Sequence, residues 1–441
     1  MVRKQDTIYA LSSGQGRAAI AVVRITGPDA RRTFSAFAVD DPQPRRARLL
    51  KLTDPRDGAP IDVALGFWFA GPNSFTGEDM VELQTHGGRA VVGAVFDVLA
   101  GVGFRIADPG EFTRRAFENG KLSLDDAEGI ADLIDADTAL QRQQAFWLMN
   151  GGVGLAVADW RGQLLESISL IEASIDFPDE GEISDTLGEQ AGAGLETLIA
   201  SLKESVLRSH RSEIIREGFL VLLAGRPNSG KSTLLNALVK RDVAITSEIA
   251  GTTRDLIEVR VDIEGVPVVI VDTAGLHAAT DPVEVQGIKR TLDRARQANL
   301  ILWLSSAIDS CPPEGLDGVT GEVLEVTSMV DLSPAGASGR GPAFSSLTGQ
   351  GIPELLSLIG KRAREIAGVH EPGVVLMRRH VDAANDMLAA CESAQLALYA
   401  GQAELAAADL NEAMRHLGRI GDRIATDDIL DLIFGRFCLG K

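Results

Sequence analysis

Residues 225–236, GRPNSGKSTLLN, contain Gly225, Gly230, Lys231 and Ser232 at the spacing G-x-x-x-x-G-K-[ST]. Glycines at these places let the backbone turn tightly, so that successive N–H groups converge on an anion. The run FLVLLAG before the motif reads as a strand, and STLLNALV after it reads as a helix, the context that makes a phosphate loop credible. Asn228, Ser229, Gly230, Lys231, Ser232 and Thr233 would then surround nucleotide phosphates at a helix N-terminus. Lys231 would act on the β/γ-phosphates and Ser232 would ligate Mg²⁺.

Two further segments point to a switch rather than a passive phosphate site. DTAG contributes Asp272, Thr273, Ala274 and Gly275 at the end of a strand. Asp272 can support the magnesium shell, and the Gly275 N–H can sense a γ-phosphate. GTTRD begins at Gly251, and Thr253 could reach both Mg²⁺ and phosphate. The run Ser247, Glu248, Ile249, Ala250, Gly251, Thr252 and Thr253 is assigned to the nucleotide site. Segments ordered by a terminal phosphate and released on hydrolysis are the working parts of GTPase-type switches.

Base recognition departs from the usual Asn-Lys-x-Asp. VTSMVDL places Ser328, Met329 and Asp331 in that frame. Asp331 would accept from guanine N1–H and N2–H₂, which adenine does not offer; an ordinary helix-entry cap is the plain alternative. Losing the asparagine amide would cost roughly 1 kcal/mol. Ser345, Ser346 and Leu347, in SSLTGQG, would back the base.

Hydrolysis needs a group to orient water. Leu276 stands where many switch GTPases have glutamine, so Glu284 becomes the candidate, through a bridging water; a solvated helix-start glutamate is the alternative. Charge compensation is also needed, and an arginine finger in that role is worth about 10³–10⁵ in rate. Arg254 is better read as a salt-bridged or solvated residue. Asn228, the carbonyls of Ser247 and Ile249, and Thr252 would instead form an oxygen cage for K⁺.

These groups need a scaffold, and the 441-residue chain divides by composition. Residues 1–118 hold short strand-like runs (AAIAVVRITG, IDVALGFWFA, DMVELQTHGG) and one helix; 119–215 are helical; 216–368 alternate strands and helices; 369–441 are helical again. The expected fold is multidomain α/β. A β-rich α+β N-terminal domain precedes a discontinuous α-helical domain, into which a P-loop α/β (Ras-like) domain with helices on both sheet faces is inserted. The run from Ser123 to Met149 reads as one helix capped by Ser123.

Composition limits the function. The net charge of −19 opposes a broad basic nucleic-acid face, so RNA contact would use a partner's surface or local runs such as Arg45–Lys51 and Lys361–Arg364, which read more readily as plain solvated faces. No apolar run reaches the roughly 18 residues of a membrane span, and the N-terminal stretch lacks a signal core. With only Cys311, Cys391 and Cys438, no disulfide framework is expected, and a cytoplasmic protein without membrane attachment is the reading.

The sequence resembles the MnmE (TrmE) family of tRNA-modification GTPases, in the TrmE-Era-EngA-like superfamily. The resemblance rests on GRAAIAVVRITG, GPNSFTGEDMVELQTHGG, ADPGEFTRRAFENGKLSLDDAEGIADLI, IDFPDE, GRPNSGKSTLLN, IAGTTRD, DTAGL and the terminal FCLGK. It implies a homodimer formed through the N-terminal domain and potassium-stimulated GTP hydrolysis. It implies a heterotetramer-type complex with the FAD protein MnmG, acting on tRNA. Together they would install a carboxymethylaminomethyl or aminomethyl group at C5 of the wobble uridine. The carbon would come from a reduced folate, 5,10-methylene- or 5-formyl-tetrahydrofolate, held by Arg24, Glu82, Lys121 and Lys441. Cys438 would lie near that folate, as a catalytic nucleophile or as a packing residue. His86 reads as a satisfied structural histidine. The competing function is a GTPase assembly factor, for ribosomes for example, without small-molecule chemistry. Such a factor would not need the four folate residues.

Overall fold

The computed structural model describes residues 6–14, 16–176, 181–239, 258–272, 296–308, 321–332, 341–368 and 376–421, with 313, 374, 430, 433–435, 437 and 440. The chain forms two compact units, one of residues 1–131, 148–151 and 422–441 and the other of 132–147 and 152–421.

The first unit is built on a six-stranded sheet. Its strands are β1 (Ile8–Leu11), β2 (Ala18–Thr26), β3 (Arg48–Thr53), β4 (Pro60–Phe69), β5 (Met80–Gly87) and β6 (Arg105–Ile106). Their order is β3-β4-β5-β2-β1-β6, antiparallel except for β1/β6. Period-2 alternation sends Val23, Ile25, Leu50, Ala64, Val81 and Leu83 to one face. There they pack against Phe34 of α1 (Arg32–Ala36) and Val95, Val98 and Leu99 of α2 (Arg89–Gly101). Arg24 and Glu82 fall on the other face, directly opposite each other in the register.

After α3 (Glu111–Glu118), the helical run expected to be continuous is two helices, α4 (Leu124–Ile134) and α5 (Ala139–Met149). The first cap is as expected: Asp126 N–H donates to Ser123 Oγ at 3.1 Å, and Ser123 N–H donates to Asp126 Oδ2 at 2.8 Å. The break comes from a second capping box. Gln141 N–H donates to Thr138 Oγ1 at 3.3 Å, while Gln141 Oε1 accepts from the N–H groups of Asp137 and Thr138 at 3.0 Å each. These bonds offer the backbone a new start that competes with continuing the helix.

The second unit contains a helical bundle of α6 (Gly152–Asp176), α7 (Gly181–Glu217), α10 (Arg378–Tyr399) and α11 (Ala403–Gly421). Leu195, Leu198 and Leu202 make the buried stripe of α7, and Trp160 Nε1–H reaches Ser201 Oγ at 3.0 Å. Further along α7 the stripe becomes Ser205, Ser209 and Ser212, whose hydroxyls donate back to carbonyls three or four residues earlier.

The same unit holds a five-stranded sheet in the order β11-β10-β7-β9-β8. These are β7 (Phe219–Ala224), β8 (Glu258–Ile263), β9 (Val266–Asp272), β10 (Leu300–Ser306) and β11 (Glu322–Ser328). All pairings are parallel except β8/β9, a hairpin turned by Glu264 and Gly265, both at positive φ. Two helices, α8 (Lys231–Val239) and α9 (Ile352–Ala367), belong to the core on one face, with Val221, Leu223 and Ile270. The other face is also apolar and buried, through Leu220, Leu222, Val269 and Trp303. The architecture is multidomain α/β.

Candidate functional sites

Strand β7 is buried along its whole length and delivers the chain to the C-terminal edge of the parallel strands. Gly225 leaves it at φ 142°, where an added Cβ would meet the backbone oxygen of Leu304 at 2.4 Å. Asn228 stands at φ 64°, Gly230 at φ 92°, and α8 begins at Lys231. Lys231 is 7 % exposed, and its ammonium donates to the carbonyls of Gly225 at 2.8 Å and Arg226 at 3.0 Å. Burial pulls its pKa below the usual lysine value, against the opposing pull of the Asp272 carboxylate. Ser232 Oγ–H donates to Asp272 Oδ2 at 2.7 Å. A hydroxyl and a carboxylate are hard oxygen donors that fit Mg²⁺, so Ser232, with Asp272 behind it, would hold that ion. Ser229 is buried with its Oγ unpartnered, inside a loop of the kind that wraps an anion.

The departures from Asn-Lys-x-Asp have structural consequences. Ser328 is 1 % exposed and donates to the Ser229 carbonyl at 2.6 Å, with the Ser305 carbonyl at 3.3 Å. Met329 sits at φ 59°, its methyl against Gly230. Asp331 follows in an exposed 3₁₀ turn, Val330–Leu332. The Ser345 loop is brought beside that turn, because Phe344 N–H donates to Thr327 O at 2.8 Å and Val330 N–H to Phe344 O at 3.4 Å. Ser345 is fully buried and closes the loop by accepting from the Thr348 and Gly349 N–H groups, while Leu347 is 84 % exposed. Asn228, Thr233 and Asp331 are exposed on this edge and Ser346 is half-buried. The candidates Ser247 through Thr253, Thr273, Ala274, Gly275 and Glu284 lie outside the described residues.

In the first unit, Arg24 and Glu82 are joined directly. Arg24 Nε and one terminal nitrogen lie 3.0 and 2.9 Å from Glu82 Oε1. The guanidinium lies 5.7 Å from the Phe75 ring centre and 5.9 Å from that of Phe112, two neighbours that sequence reasoning missed. The loop carrying Phe75 is fastened by Thr26 Oγ1 to Thr76 Oγ1 at 2.6 Å and by Asn119 Nδ2 donating to Thr76 O at 2.7 Å. Lys121 enters through that loop, its side chain running beside Gly77. Gly440 is held against the end of β1, accepting from Ser12 Oγ–H at 2.8 Å. Ala10, two residues before Ser12, is the register partner of Arg24, so the chain's terminus comes to the same sheet. Cys438 and Lys441 lie outside the described residues. His86 is hydrogen-bonded through its ring to another residue, in keeping with a satisfied histidine, although it sits at the surface. Its ring is largely exposed, and its Nδ1 lies 2.7 Å from the buried Asp62 carboxylate, which also accepts from the His86 N–H.

Three arginines of the two basic runs are ion-paired. Arg48 pairs with Asp40 at 2.8 Å, and Arg45 donates to the Asn73 carbonyl while facing Phe69. Arg362 pairs with Glu322 and Glu365 at 3.2 Å each, and Arg364 with Glu264 at 3.5 Å. No described helix is long and apolar enough to cross a membrane.

A family model described as the MnmE helical domain matches residues 124–438, and one described as the GTP-binding protein TrmE N-terminus matches residues 7–121. The tRNA modification GTPase MnmE of Rhodopseudomonas palustris is 43% identical over 444 residues, covering 99% of each chain. That of Parvibaculum lavamentivorans is 44% identical over 442 residues, covering 99% of this chain and 100% of the relative. Among solved structures, the G domain of the T. maritima FeoB iron transporter is 22% identical and covers 34% of this chain and 98% of that one; its TM-score of 0.25 is too low to add weight. By its family models and its full-length relatives, the chain belongs to the MnmE (TrmE) family.

Proposed function

We propose that this chain is a GTP hydrolase of tRNA modification. The observation that carries the reading is the convergence of Lys231, Ser232 and Asp272 on the phosphate loop at the carboxyl edge of the sheet. Lys231 would exchange the carbonyls of Gly225 and Arg226 for phosphate oxygens, keeping its charge inside the loop. Magnesium held by Ser232 would supply positive charge to the phosphates. Asp331 would read the guanine edge, with Ser345, Ser346 and Leu347 behind the base. Glu284 would orient water, since Leu276 has no group to do so.

The finer parts of the reading follow the family. Potassium, bound by Asn228, Ser247, Ile249 and Thr252, would take the place of an arginine finger; the exposed position of Asn228 in the loop supports this. A reduced folate would lie beside Arg24, Glu82, Lys121 and Lys441, supported by the aromatic walls at Arg24. A homodimer through the first unit is supported by exposed Ile20, Leu49, Val63 and Leu65 on its sheet. With MnmG, in the cytoplasm, the protein would modify C5 of the wobble uridine. The net charge of −19, with Arg48, Arg362 and Arg364 ion-paired, favours a partner's surface for tRNA contact.

The test is GTP turnover by the purified chain in KCl and in NaCl. Faster turnover in potassium, with the difference abolished by Asn228→Ala, is expected; equal rates in both salts would remove the cage. Titration with 5-formyl-tetrahydrofolate separates this reading from an assembly factor, which would not bind it.

A further inference from the structure

Ser328 occupies the place where GTP-binding sites of this kind carry an asparagine, and its geometry gives it a different task. It is the last residue of β11, it is 1 % exposed, and its hydroxyl lies 2.6 Å from the Ser229 carbonyl and 3.3 Å from the Ser305 carbonyl. A hydroxyl has one proton to give. Both neighbours are acceptors, so the proton is committed to the nearer, Ser229 O. None is left for the acceptors N7 and O6 on the base edge.

The bond aims a peptide. The Ser229–Gly230 unit is planar and trans, so a carbonyl held toward Ser328 turns the Gly230 N–H the opposite way. That N–H belongs to the set that would cradle phosphate. Met329 supports the same peptide from beside it: a Cβ added to Gly230 would come 3.3 Å from the Met329 methyl. Met329 holds this contact from φ 59°, a region that side-chain-bearing residues seldom adopt. Two consecutive residues at the end of β11 thus press on one peptide of the phosphate loop, across about a hundred residues of sequence.

We propose that Ser328 is a positioning residue for the phosphate loop and does not read the base, so that guanine selection falls to Asp331. This rests on the loop being a GTP site.

The experiment compares GTP, 7-deaza-GTP and ITP affinities in magnesium for the unmodified protein, Ser328→Ala and Ser328→Thr, with thermal melts alongside. GTP and 7-deaza-GTP should bind alike to all three proteins. Ser328→Ala should weaken every nucleotide by about 2- to 10-fold, the range of one neutral hydrogen bond. The GTP-to-ITP ratio should stay unchanged, and Ser328→Thr, which keeps the hydroxyl, should restore affinity. Weaker binding of 7-deaza-GTP to the unmodified protein, with the gap closed in Ser328→Ala, would make Ser328 a base reader and overturn the proposal. Unaltered affinity in Ser328→Ala would also overturn it. If Ser328→Ala fails to fold, the 7-deaza comparison on the unmodified protein and the Ser328→Thr affinities still decide. Absence of guanine-nucleotide binding by the unmodified protein would remove the underlying reading, a result that needs no variant and is distinct from failure of the Ser328 proposal alone.

Discussion

Ser232 and Asp272 are joined by a 2.7 Å hydrogen bond, although one lies in the first turn of helix α8 and the other ends strand β9. The bond orients the serine oxygen as a ligand, since the carboxylate takes its proton and leaves its lone pairs directed outward. Ser232→Ala removes the ligand, whereas Asp272→Asn retains a neutral partner for it. Both variants should weaken magnesium-dependent GTP binding, Ser232→Ala by about tenfold or more, the scale of an outer-shell or ligand loss. Titration of GTP with and without EDTA checks this. Magnesium dependence equal to that of the unmodified protein in Ser232→Ala would place the ion elsewhere.

Gly225 offers a second test, on backbone chemistry alone. Its φ of 142° and the 2.4 Å approach of an added Cβ to Leu304 O leave no room for alanine, and the obstacle is a strand backbone that cannot rotate away. Strain of this kind costs of order 1–3 kcal/mol. Gly225→Ala should lower GTP affinity at least tenfold, because the loop must shift, while far-UV circular dichroism stays near that of the unmodified protein. Retained affinity would show that the loop tolerates displacement.

The phosphate loop and the buried strand before it were legible because their signals are local: glycines at fixed offsets after an apolar run. The break between α4 and α5 was missed because Thr138 and Gln141 lie inside a stretch whose apolar spacing continues through them. Ser328 was read as a lost amide, and its bond to Ser229 could not be foreseen, because the end of β11 meets the loop only once the sheet is assembled. Arg24 and Glu82 were expected at one site, but their direct pairing depends on a register between strands 58 residues apart. The ion pairs of Arg362 and Arg364 with Glu322 and Glu264 were not legible for the same reason: those partners are remote in sequence.

The Arg24–Glu82 pair separates a structural ion pair from a binding site. Removing either charge strands the other in a half-buried place, which is destabilising in itself. Arg24→Met and Glu82→Met should each lower the melting temperature, and the double variant should recover most of that loss. Binding of 5-formyl-tetrahydrofolate should remain at least tenfold weaker in all three. Isothermal titration and thermal melts on the same samples make the comparison. Folate binding restored along with the melt in the double variant would mean that the charges serve only the fold.

Glu111 should contribute to the response of the first unit to acid. It is 6 % exposed and accepts from Arg105 at 2.6 and 3.0 Å, from Arg115 at 3.0 Å and from the Asp108 N–H at 2.8 Å. Burial by itself would raise its pKa, but the bonds from Arg105, Asp108 and Arg115 outweigh burial and hold the carboxyl below the usual glutamate value. Asp6, bonded to the same two arginines, is lowered in the same way. A carboxyl with a depressed folded-state pKa adds stability that is complete above the unfolded value, about 4.3 for glutamate, and is lost as pH falls through the folded value. Glu111→Gln should therefore destabilise the first unit at pH 7 by about 1.5–3 kcal/mol, the range for hydrogen bonds to a charged group. The gap should narrow steadily as the solution is acidified below pH 4. Hydrogen exchange at the amides of β1 and β2, followed in both proteins across this range, measures the difference directly. Exchange profiles that stay parallel from neutral to acid would show that the carboxylate is not what couples this unit to protons.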